Sequence, residues 1–236
     1  MPEETRMDEK AVKVLVDVLA HDINNHIHGA TGYLELMEHV LKDDPTVKRF
    51  LGNTMSEMRS ISYLVENLRL LITAPGEPFI GEPVDVYSQL VHARESVAHR
   101  FEEKELDLQT MLKHGEIVVK GDRFLQDALV QILSNSMRYD NATDVKVWIS
   151  AVKEGPFAVI TIGDQGRGIP DDQKEAMMTR FWRSIQNEEV HGKGMGLSVV
   201  KMVVERYNGD VKLDNRVEGD HTLGTKVVLK LPLWMD

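Results

Sequence analysis

The 236 residues carry a formal net charge of −10 and are 42% hydrophobic. This apolar content is enough for one or two soluble domains and argues against disorder. The acidic net charge argues against a nucleic-acid or anionic-membrane partner. The chain contains no cysteine, which excludes disulfides, thiolate nucleophiles and cysteine-ligated metal centres and favours a cytoplasmic location. Its charged start and the lack of an apolar run of about 20 residues predict neither a signal peptide nor a membrane span.

Residues 11–74 are predicted to form a helical hairpin. After a charged N-terminal segment at 1–10, apolar residues recur at helical spacing, interrupted only by KDDP at 42–45, where aspartates and a proline end one helix and begin the next. In the second arm the apolar seam alternates in steps of four and three: Val47, Leu51, Thr54, Met58, Ile61, Val65, Leu68 and Ile72. Two helices alone make a thin core, so we expect a second copy to complete a dimeric four-helix bundle, with folding back onto the rest of the chain as the alternative.

The stretch HDINNHIHG at 21–29 crowds three histidines onto the first helix. At about 100° per residue, His21 and Asn25 share a face that lies opposite the apolar residues Ile23 and Leu34, so His21 is predicted to point away from the core. A helical zinc site would need its second ligand at i+4, where Asn25 stands, and zinc is therefore disfavoured. His26 lies at the edge of the apolar seam, and we expect it to have a structural role.

His21 is followed at once by the carboxylate of Asp22, and this pair has two interpretations. It is either an ordinary solvated pair or a nucleophile whose other ring nitrogen is oriented by Asp22. The choice between them depends on whether the chain also provides a phosphate donor.

Residues 75–83 are predicted to be a linker, because the stretch TAPGEPFIGEP at 73–83 holds three prolines and two glycines. Beyond it, residues 84–236 mix helical and strand patterns and predict a second domain. Helices are predicted near 87–104, 122–138 and 195–207, and strands near 106–110, 117–119, 144–152, 157–163, 211–214 and 225–231. This combination is typical of an α+β two-layer sandwich with a mixed sheet.

Three stretches of the second domain stand in a fixed order: QILSNSMRY at 131–139, DQGRGIP at 164–170 and GKGMGL at 192–197. The last opens a predicted helix, whose bare amides and dipole favour a phosphate. Taken singly, each stretch has a simpler explanation: an amphipathic helix, a strand exit with two turn glycines, or an ordinary glycine-rich helix start.

Together, these stretches resemble the ATP-binding domain shared by sensor histidine kinases, type II topoisomerases, Hsp90-type chaperones and mismatch-repair ATPases, over roughly residues 84–233. The resemblance implies ATP with Mg²⁺: Asn135 would ligate Mg²⁺, and Asp164 would accept a hydrogen bond from the adenine amino group. It also assigns to the nucleotide site Gly166 and Gly168 beside the base, Arg138 near the phosphates, Tyr139 near the nucleotide, and Gly192, Lys193, Gly194, Met195, Gly196 and Leu197 in the phosphate-covering lid. FWR at 181–183 and GTKVVLKLP at 224–232 match the kinases' segment before this lid and their closing strand.

Position 131 separates the branches of this family, because hydrolytic members carry there a glutamate that activates water, whereas the kinases usually carry asparagine. Here it is Gln131. An amide can bind a metal-held water but cannot take its proton, so the residue favours transfer of the phosphoryl group over hydrolysis.

The stretch HDINNHIHGATGYLEL resembles the phosphoacceptor box of two-component sensor kinases. On this resemblance, His21 is the phosphorylated residue, Asp22 holds the opposite ring N–H, and Asn25 positions the water that removes phosphate from the aspartate of a response regulator. The family often has a proline five residues after the histidine, and His26 stands there instead. We therefore expect a weak helix bend or none.

The sequence thus predicts a sensor histidine kinase core: a cytoplasmic homodimer, alone or as part of a longer receptor, with kinase and phosphatase activity toward the receiver domain of a response regulator. No nucleic-acid partner and no membrane contact within the chain are expected. One alternative is a serine/threonine kinase or ATPase that shares only the nucleotide fold, which predicts ATP binding without phosphate on His21. The other is a non-catalytic dimeric scaffold, against which the intact Asn135, Asp164 and lid glycines argue.

Overall fold

The structure, a computed structural model, describes residues 9–41, 44–101, 103–178 and 195–235. The chain divides into two compact units, Met1–Gly76 and Glu77–Asp236. Within the described ranges, no helix is both long and apolar enough to cross a membrane.

The first unit is a hairpin of two helices, α1 (Glu9–Val40) and α2 (Pro45–Thr73). Asp44 begins α2, because its carboxylate accepts hydrogen bonds from the amides of Thr46 at 2.8 Å and Val47 at 3.3 Å, and Pro45 occupies the first helical turn. The α1 helix runs without interruption through His26. Replacing the usual proline therefore leaves the backbone hydrogen bonds of the helix intact.

Apolar side chains of the hairpin are only partly covered in the single chain. Ala20, Ile27 and Leu51 are buried, but Leu19 and Met37, which the helical pattern assigns to the core, are 49% and 50% exposed. His26 is exposed too, so the single chain gives it no packing role. Other large apolar side chains of the hairpin are also exposed: Val14, Leu15, Val18, Ile23, Tyr33, Leu36, Val40, Leu41, Phe50, Ile61 and Leu68.

In its described part the second unit is a two-layer sandwich of seven strands and three long helices, with a further 3₁₀ turn at Asp171–Gln173 that leads into helical residues 174–178. In chain order these elements are β1 (Glu82–Asp85), α3 (Val86–Ala98), β2 (Glu105–Thr110), β3 (Val118–Gly121), α4 (Phe124–Tyr139), β4 (Asp144–Glu154), β5 (Phe157–Asp164), α5 (Gly196–Arg206), β6 (Asp210–Val217) and β7 (Asp220–Pro232).

Five strands form one sheet in the order β2-β4-β5-β7-β6, in which β2 and β4 are parallel and the other neighbours are antiparallel. Alternate residues of β4, namely Val145, Val147 and Ile149, are buried, while the residues between them are exposed. This period of two lets one face of the strand pack while the other stays open. Helix α4 contacts both α3 and α5. The predicted fold class, a helical hairpin followed by a two-layer sandwich with a mixed sheet, is confirmed.

The stretch predicted to be a linker differs in part from the prediction. Thr73 still belongs to α2, and residues from Glu77 onward belong to the second unit. Residues 82–85 form β1, which pairs with β3 in a separate two-stranded sheet. Pro83 is tolerated in β1 because a short edge strand leaves backbone positions that need no ladder donor.

The helix predicted over residues 87–104 ends earlier, at Ala98. Lys104 lies outside α3, and its ammonium donates hydrogen bonds to the carbonyls of Met137 at 2.8 Å and Asp140 at 2.5 Å. These carbonyls lie at the C-terminal end of α4, where the backbone has no intrahelical donors left. Lys104 therefore caps the C-terminal end of α4 and does not belong to the last turn of α3, where the apolar pattern predicted it.

Candidate functional site

The side chain of His21 is 73% exposed on α1, in agreement with the helical angles. Its Nδ1 lies 3.2 Å from Oδ1 of Asp22, whose side chain is 62% exposed. Asn25, one turn along, places its Nδ2 3.3 Å from Nδ1 and 3.5 Å from Nε2 of the same ring. These three side chains, which the sequence grouped as a catalytic set, therefore do meet.

The contacts around the His21 ring depend on where its proton resides. An ionised carboxylate only accepts hydrogen bonds, so the Asp22 contact requires the proton on Nδ1. The unprotonated nitrogen is then Nε2, and the amide of Asn25 can donate only to that atom. This tautomer leaves Nε2 as the nitrogen with a lone pair, within 3.5 Å of the Asn25 amide on a side chain that is 73% exposed.

A cavity of about 390 Å³ lies in the second unit. Helix α4, the loop that follows β5, the start of α5 and strand β7 all contribute to its wall. The lining residues are Ile132, Asn135, Tyr139, Asp164, Gly166, Arg167, Gly168, Ile169, Pro170, Gln173, Met177, Gly196, Leu197, His221, Thr225 and Val227. Seven residues assigned to the nucleotide site from sequence are among them: Asn135, Tyr139, Asp164, Gly166, Gly168, Gly196 and Leu197.

Asp164 ends β5 and is the acidic residue of the cavity wall. Burial raises the pKa of this carboxyl above its ordinary value, and three hydrogen bonds to it act in the opposite direction without outweighing burial. The donors are the amide of Thr225 at 3.1 Å, the amide of Gly166 at 3.0 Å and the hydroxyl of Ser136 at 3.2 Å. This network fixes the carboxyl in one orientation at the cavity wall.

Two glycines beside Asp164 are required by close backbone approach. Gly168 has φ = +68°, and a Cβ there would overlap the carbonyl oxygen of His221. Gly224 has φ = +111°, and a Cβ there would overlap the carbonyl oxygen of Asp164. Both conformations are strained for residues with a side chain, so glycine at these positions keeps the loop after β5 against β7.

Tyr139 and Arg167 form one wall of the cavity. The Arg167 guanidinium lies 4.6 Å from the centroid of the Tyr139 ring, a cation–π distance, and the Arg167 amide donates to the Tyr139 carbonyl at 3.2 Å. Sequence analysis assigned Tyr139 to the site but missed Arg167, because the stretch DQGRGIP drew attention to its aspartate and glycines. Ser136, Thr225 and Gly224 were also missed as partners of Asp164.

The start of α5 contributes Gly196 and Leu197 to the cavity wall, whereas Met195 is buried and is not among the lining residues. Helix amides at such a start have no intrahelical acceptor and favour an anion. Gly192, Lys193, Gly194 and the segment FWR at 181–183 lie outside the described residues, so their predicted roles stay predictions.

The other residues predicted on α4 divide by position. Asn135 faces the cavity and can offer an amide oxygen to a cation. Gln131 is buried, 2% exposed, and Arg138 is exposed; neither lines the cavity. The predicted nucleotide roles of these two side chains therefore stay predictions.

In the described part of the chain, no group of three or more histidine, aspartate or glutamate side chains could hold a metal ion. Asn135 alone is compatible with Mg²⁺, because this ion is usually held by one or two protein oxygens together with phosphate oxygens and water. The donor set therefore fits a cation that arrives with a nucleotide, not a metal held by protein alone.

Comparison with family models matches residues 121–235 to the family described as histidine kinase-, DNA gyrase B-, and HSP90-like ATPase. The matched range contains α4, the loop after β5, the start of α5 and β7, which together form the cavity wall.

Comparison with curated proteins finds sensor kinases. The chain is 26% identical over 234 residues to the sensor protein kinase PmrB of Pseudomonas aeruginosa, covering 98% of this chain and 47% of PmrB. It is 28% identical over 182 residues to the signal transduction histidine-protein kinase/phosphatase MprB of Mycolicibacterium smegmatis, covering 77% of this chain and 36% of that protein. The chain thus spans about half the length, or less, of these curated relatives.

Solved structures show the same relationship. The structure of mycobacterial sensor histidine kinase MprB aligns with a TM-score of 0.53 at 28% identity, over 65% of this chain and 98% of that one. The full-length structure of ShkA in complex with AMPPNP aligns with a TM-score of 0.59 over 94% of this chain and 46% of ShkA, but at 19% identity it shows a shared fold only. The predicted resemblance is confirmed by these findings.

Proposed function

We propose that the chain phosphorylates His21 from ATP and transfers the phosphoryl group to an aspartate of a response regulator. Two similarities support this proposal: residues 121–235 match the histidine kinase-, DNA gyrase B-, and HSP90-like ATPase family, and nearly the whole chain aligns with sensor kinases. The observation that carries the proposal is the presence of two complementary sites. An exposed imidazole is held by Asp22 and Asn25 on the hairpin, and a cavity with a buried, fixed Asp164 lies in the other unit.

In the proposed ATP complex, the fixed carboxylate of Asp164 accepts a hydrogen bond from the adenine amino group. Gly166 and Gly168 let the backbone approach the base, and the amides at the start of α5 face the phosphates. Mg²⁺ would be held by the amide oxygen of Asn135 and would offset the charge of the phosphates. The lid residues Gly192, Lys193 and Gly194, together with Arg138, are proposed to contact the phosphates from outside the described cavity wall.

At His21, the unprotonated Nε2 attacks the γ-phosphorus of ATP. The N–P bond forms as the bond from phosphorus to the β–γ bridging oxygen breaks, and ADP leaves with that electron pair. The ring becomes a cation that keeps its proton on Nδ1, where Asp22 accepts the hydrogen bond and stabilises the positive charge. The 3.2 Å contact between Nδ1 and Asp22 supports this division of roles.

Asn25 is proposed to serve a second activity, the hydrolysis of phosphate from the regulator's aspartate. Its amide lies within 3.5 Å of both ring nitrogens of His21, so it can reach the same position above the helix that the reacting group occupies. An amide can orient a water molecule toward a phosphorylated aspartate without itself taking a proton. The mycobacterial relative is named as a kinase/phosphatase, which supports the same pair of activities here.

The exposed apolar side chains of the hairpin support a homodimer. Leu19, Ile23 and Met37 lie on the helix face opposite His21 and are each at least 39% exposed. Covering them with a second copy would complete a four-helix bundle. The response regulator would then dock on the outer face that carries His21. A cytoplasmic location, as a core or as part of a longer receptor, belongs to the same proposal.

The test is incubation of the chain with γ-labelled ATP and Mg²⁺, comparing the wild type with His21→Gln. We expect label that survives base and is lost in acid, that is absent from the variant, and ATP binding that is unchanged in the variant. Acid-stable label in both proteins would instead indicate a serine/threonine kinase, and ATP turnover without protein label would indicate an ATPase. Absence of ATP binding would indicate a scaffold.

Asn25→Ala separates the second activity from the first. We expect autophosphorylation to change by less than about twofold and dephosphorylation of a phosphorylated receiver domain to slow by at least about fivefold, because a catalytic positioning contact contributes on the order of 1–3 kcal/mol. Asn24→Ala, one residue away on α1, is the matched control. Equal slowing by both variants would contradict the role of Asn25.

A further inference from the structure

The residues that follow the hairpin, from Glu77 onward, are bound by Arg206, the last residue of α5. The Arg206 guanidinium donates to the backbone carbonyls of Glu77 at 2.8 Å and Pro78 at 3.1 Å, and its Nε donates to the carboxylate of Asp122 at 2.8 Å. The Arg206 side chain is only 9% exposed and that of Asp122 only 14%. The guanidinium is a planar fork of five N–H donors, so its separate N–H groups can reach two carbonyls and a carboxylate that lie in different directions.

Aromatic contacts reinforce this grip. The Phe79 ring lies 5.3 Å from the Tyr207 ring, and the Arg206 guanidinium lies 5.5 Å from the Phe79 centroid. The Tyr207 hydroxyl donates to Asp122 at 2.5 Å, so the Asp122 carboxylate accepts hydrogen bonds from both Arg206 and Tyr207. Because these groups are largely buried, their electrostatic contacts are screened less than surface pairs. The Arg206 clamp is defined here as Arg206, Asp122 and Tyr207 with the segment Glu77–Phe79.

Few residues lie between the hairpin and the segment bound in the Arg206 clamp. Helix α2 continues to Thr73, and the buried Ala74 closes it with a hydrogen bond to the Leu70 carbonyl. Only the single turn Ala74–Gly76 separates this helix from the clamped segment. A Cβ on Gly76 would meet no atom within 4 Å, so close packing does not hold that position.

We propose that Arg206 is a positioning residue for phosphoryl transfer, because it binds Glu77–Phe79 to the ATP-binding unit and so confines the tether between the two units to Ala74–Gly76. This rests on the proposed function, in which the ATP-binding unit must reach a histidine on a hairpin. A short tether raises the effective concentration of one unit at the other, and releasing the clamped segment doubles the tether from three residues to six. Effective concentration falls roughly as the −3/2 power of tether length, which gives about a threefold loss.

The experiment compares full-length wild type with Arg206→Gln. At saturating ATP we expect the first-order rate of His21 phosphorylation to fall about threefold, with the KM for ATP and nucleotide affinity unchanged within about twofold. Arg206 does not line the nucleotide cavity, and a loss confined to the rate distinguishes positioning from damage to the nucleotide site. Weaker ATP binding in the variant would overturn the proposal.

A second readout measures the clamp without any phosphorylation. Chymotrypsin cleaves after Phe79 only when this side chain leaves its contacts with Tyr207 and Arg206. We expect a cut after Phe79, identified by fragment mass, that is at least fivefold faster in Arg206→Gln than in wild type. Equal cleavage rates would overturn the clamp. If the wild type forms no phosphohistidine, the proposed function fails, while this cleavage comparison still decides whether Arg206 holds the segment.

Three further variants keep the test decisive. Arg206→Lys keeps the charge beside Asp122 but lacks the fork, so it should fold and still release Phe79 to chymotrypsin. Arg123→Gln removes the exposed pair between Arg123 and Glu77, at 2.9 Å with the arginine side chain 68% exposed, and the contact of Arg123 with the Phe124 ring. It leaves the bonds of Arg206 in place and should leave rate and cleavage unchanged. Inserting Gly-Ser-Gly after Gly76 lengthens the tether with the clamp intact and should reproduce the threefold loss without the new cut. A wild-type rate in the insertion variant would overturn the tether argument.

Discussion

The two units differ in how they use apolar surface. In the sandwich, alternate strand residues and one face of each helix are buried together, and large side chains such as Leu133, Ile160 and Leu229 are less than 2% exposed. In the hairpin, helices of comparable regularity leave side chains such as Leu19 and Met37 about half exposed. A sheet with helices packed on it can complete a core within one chain, whereas two helices cannot.

The proposed reacting groups follow the same division. In the proposed mechanism His21 needs access to two partners in turn, and it lies on the exposed surface of the hairpin. Asp164 must hold one orientation toward one ligand, and it is buried in the complete unit with three donors fixed around it. Exposure therefore accompanies transfer of a group between molecules, and burial accompanies recognition of a single ligand.

The largest effect is expected from Leu19→Ser, which removes an apolar side chain from the face opposite His21. Burial of one leucine contributes about 2 kcal/mol, and a symmetric dimer loses two of them, so the dimer dissociation constant should rise several hundredfold. Val18→Ser is the matched control, because Val18 is 52% exposed against 49% for Leu19 but lies about 100° around the helix. Sedimentation equilibrium measures both, and equal weakening would contradict the assigned interface.

Gly168→Ala tests the complete unit. The new Cβ would overlap the His221 carbonyl at a positive φ, so we expect the free energy of unfolding to fall by about 3 kcal/mol. Gly115→Ala is the control: its φ of +75° is similar but a Cβ there meets no atom within 4 Å, so the loss should be about 1–2 kcal/mol.

All three tryptophans, Trp148, Trp182 and Trp234, lie in the second unit, so urea unfolding followed by tryptophan fluorescence reports on that unit alone. If Gly168→Ala and Gly115→Ala proved equally stable, close backbone approach would not be the reason for glycine at position 168.

Asp164→Asn should separate ligand binding from stability within the same unit. Loss of a hydrogen bond to a charged group costs about 2 kcal/mol, so ATP affinity should fall roughly thirtyfold by calorimetry. Because burial disfavours the ionised carboxyl and raises its pKa, the neutral amide should change unfolding stability at pH 7 by less than about 1 kcal/mol. A large loss of stability with unchanged ATP affinity would contradict a binding role.

The smallest effect is expected from Asp85→Asn at the start of α3. Burial tends to raise the pKa of Asp85, but hydrogen bonds from Ser88, the Gly115 amide and His114 outweigh it and hold the pKa below its ordinary 3.8. A lowered pKa in the folded state means that the carboxylate stabilises above pH 3.8 and that this stabilisation is lost as the pH falls through the lowered value. At pH 7 the variant should be about 1 kcal/mol less stable, and the difference should shrink only below pH 3.8, as the pH falls through the lowered pKa of Asp85. A difference independent of pH would exclude ionisation as its cause.

The order and type of most elements could be predicted, because local patterns encode them. The alternation along β4, the aspartate and proline before α2 and the glycines around Asp164 act over a few residues and are visible in the sequence. The outward position of His21 follows from helical geometry alone. Element ends were less predictable, since Lys104 was assigned to α3 but instead caps α4 through contacts more than 30 residues away.

The helical hairpin, the mixed α+β unit and the residues proposed for phosphoryl transfer could thus be inferred from local sequence patterns. The hydrogen bonds of Ser136 and Thr225 to Asp164 could not, because these residues lie 28 and 61 positions away along the chain and meet it only in the fold. The contact of Arg206 with Glu77–Phe79 was likewise visible only in the fold, since proline and glycine content predicted a linker there. Local patterns report the conformations that a backbone prefers, whereas a partner for a buried carboxyl or an open carbonyl is supplied by whichever distant segment the fold brings beside it.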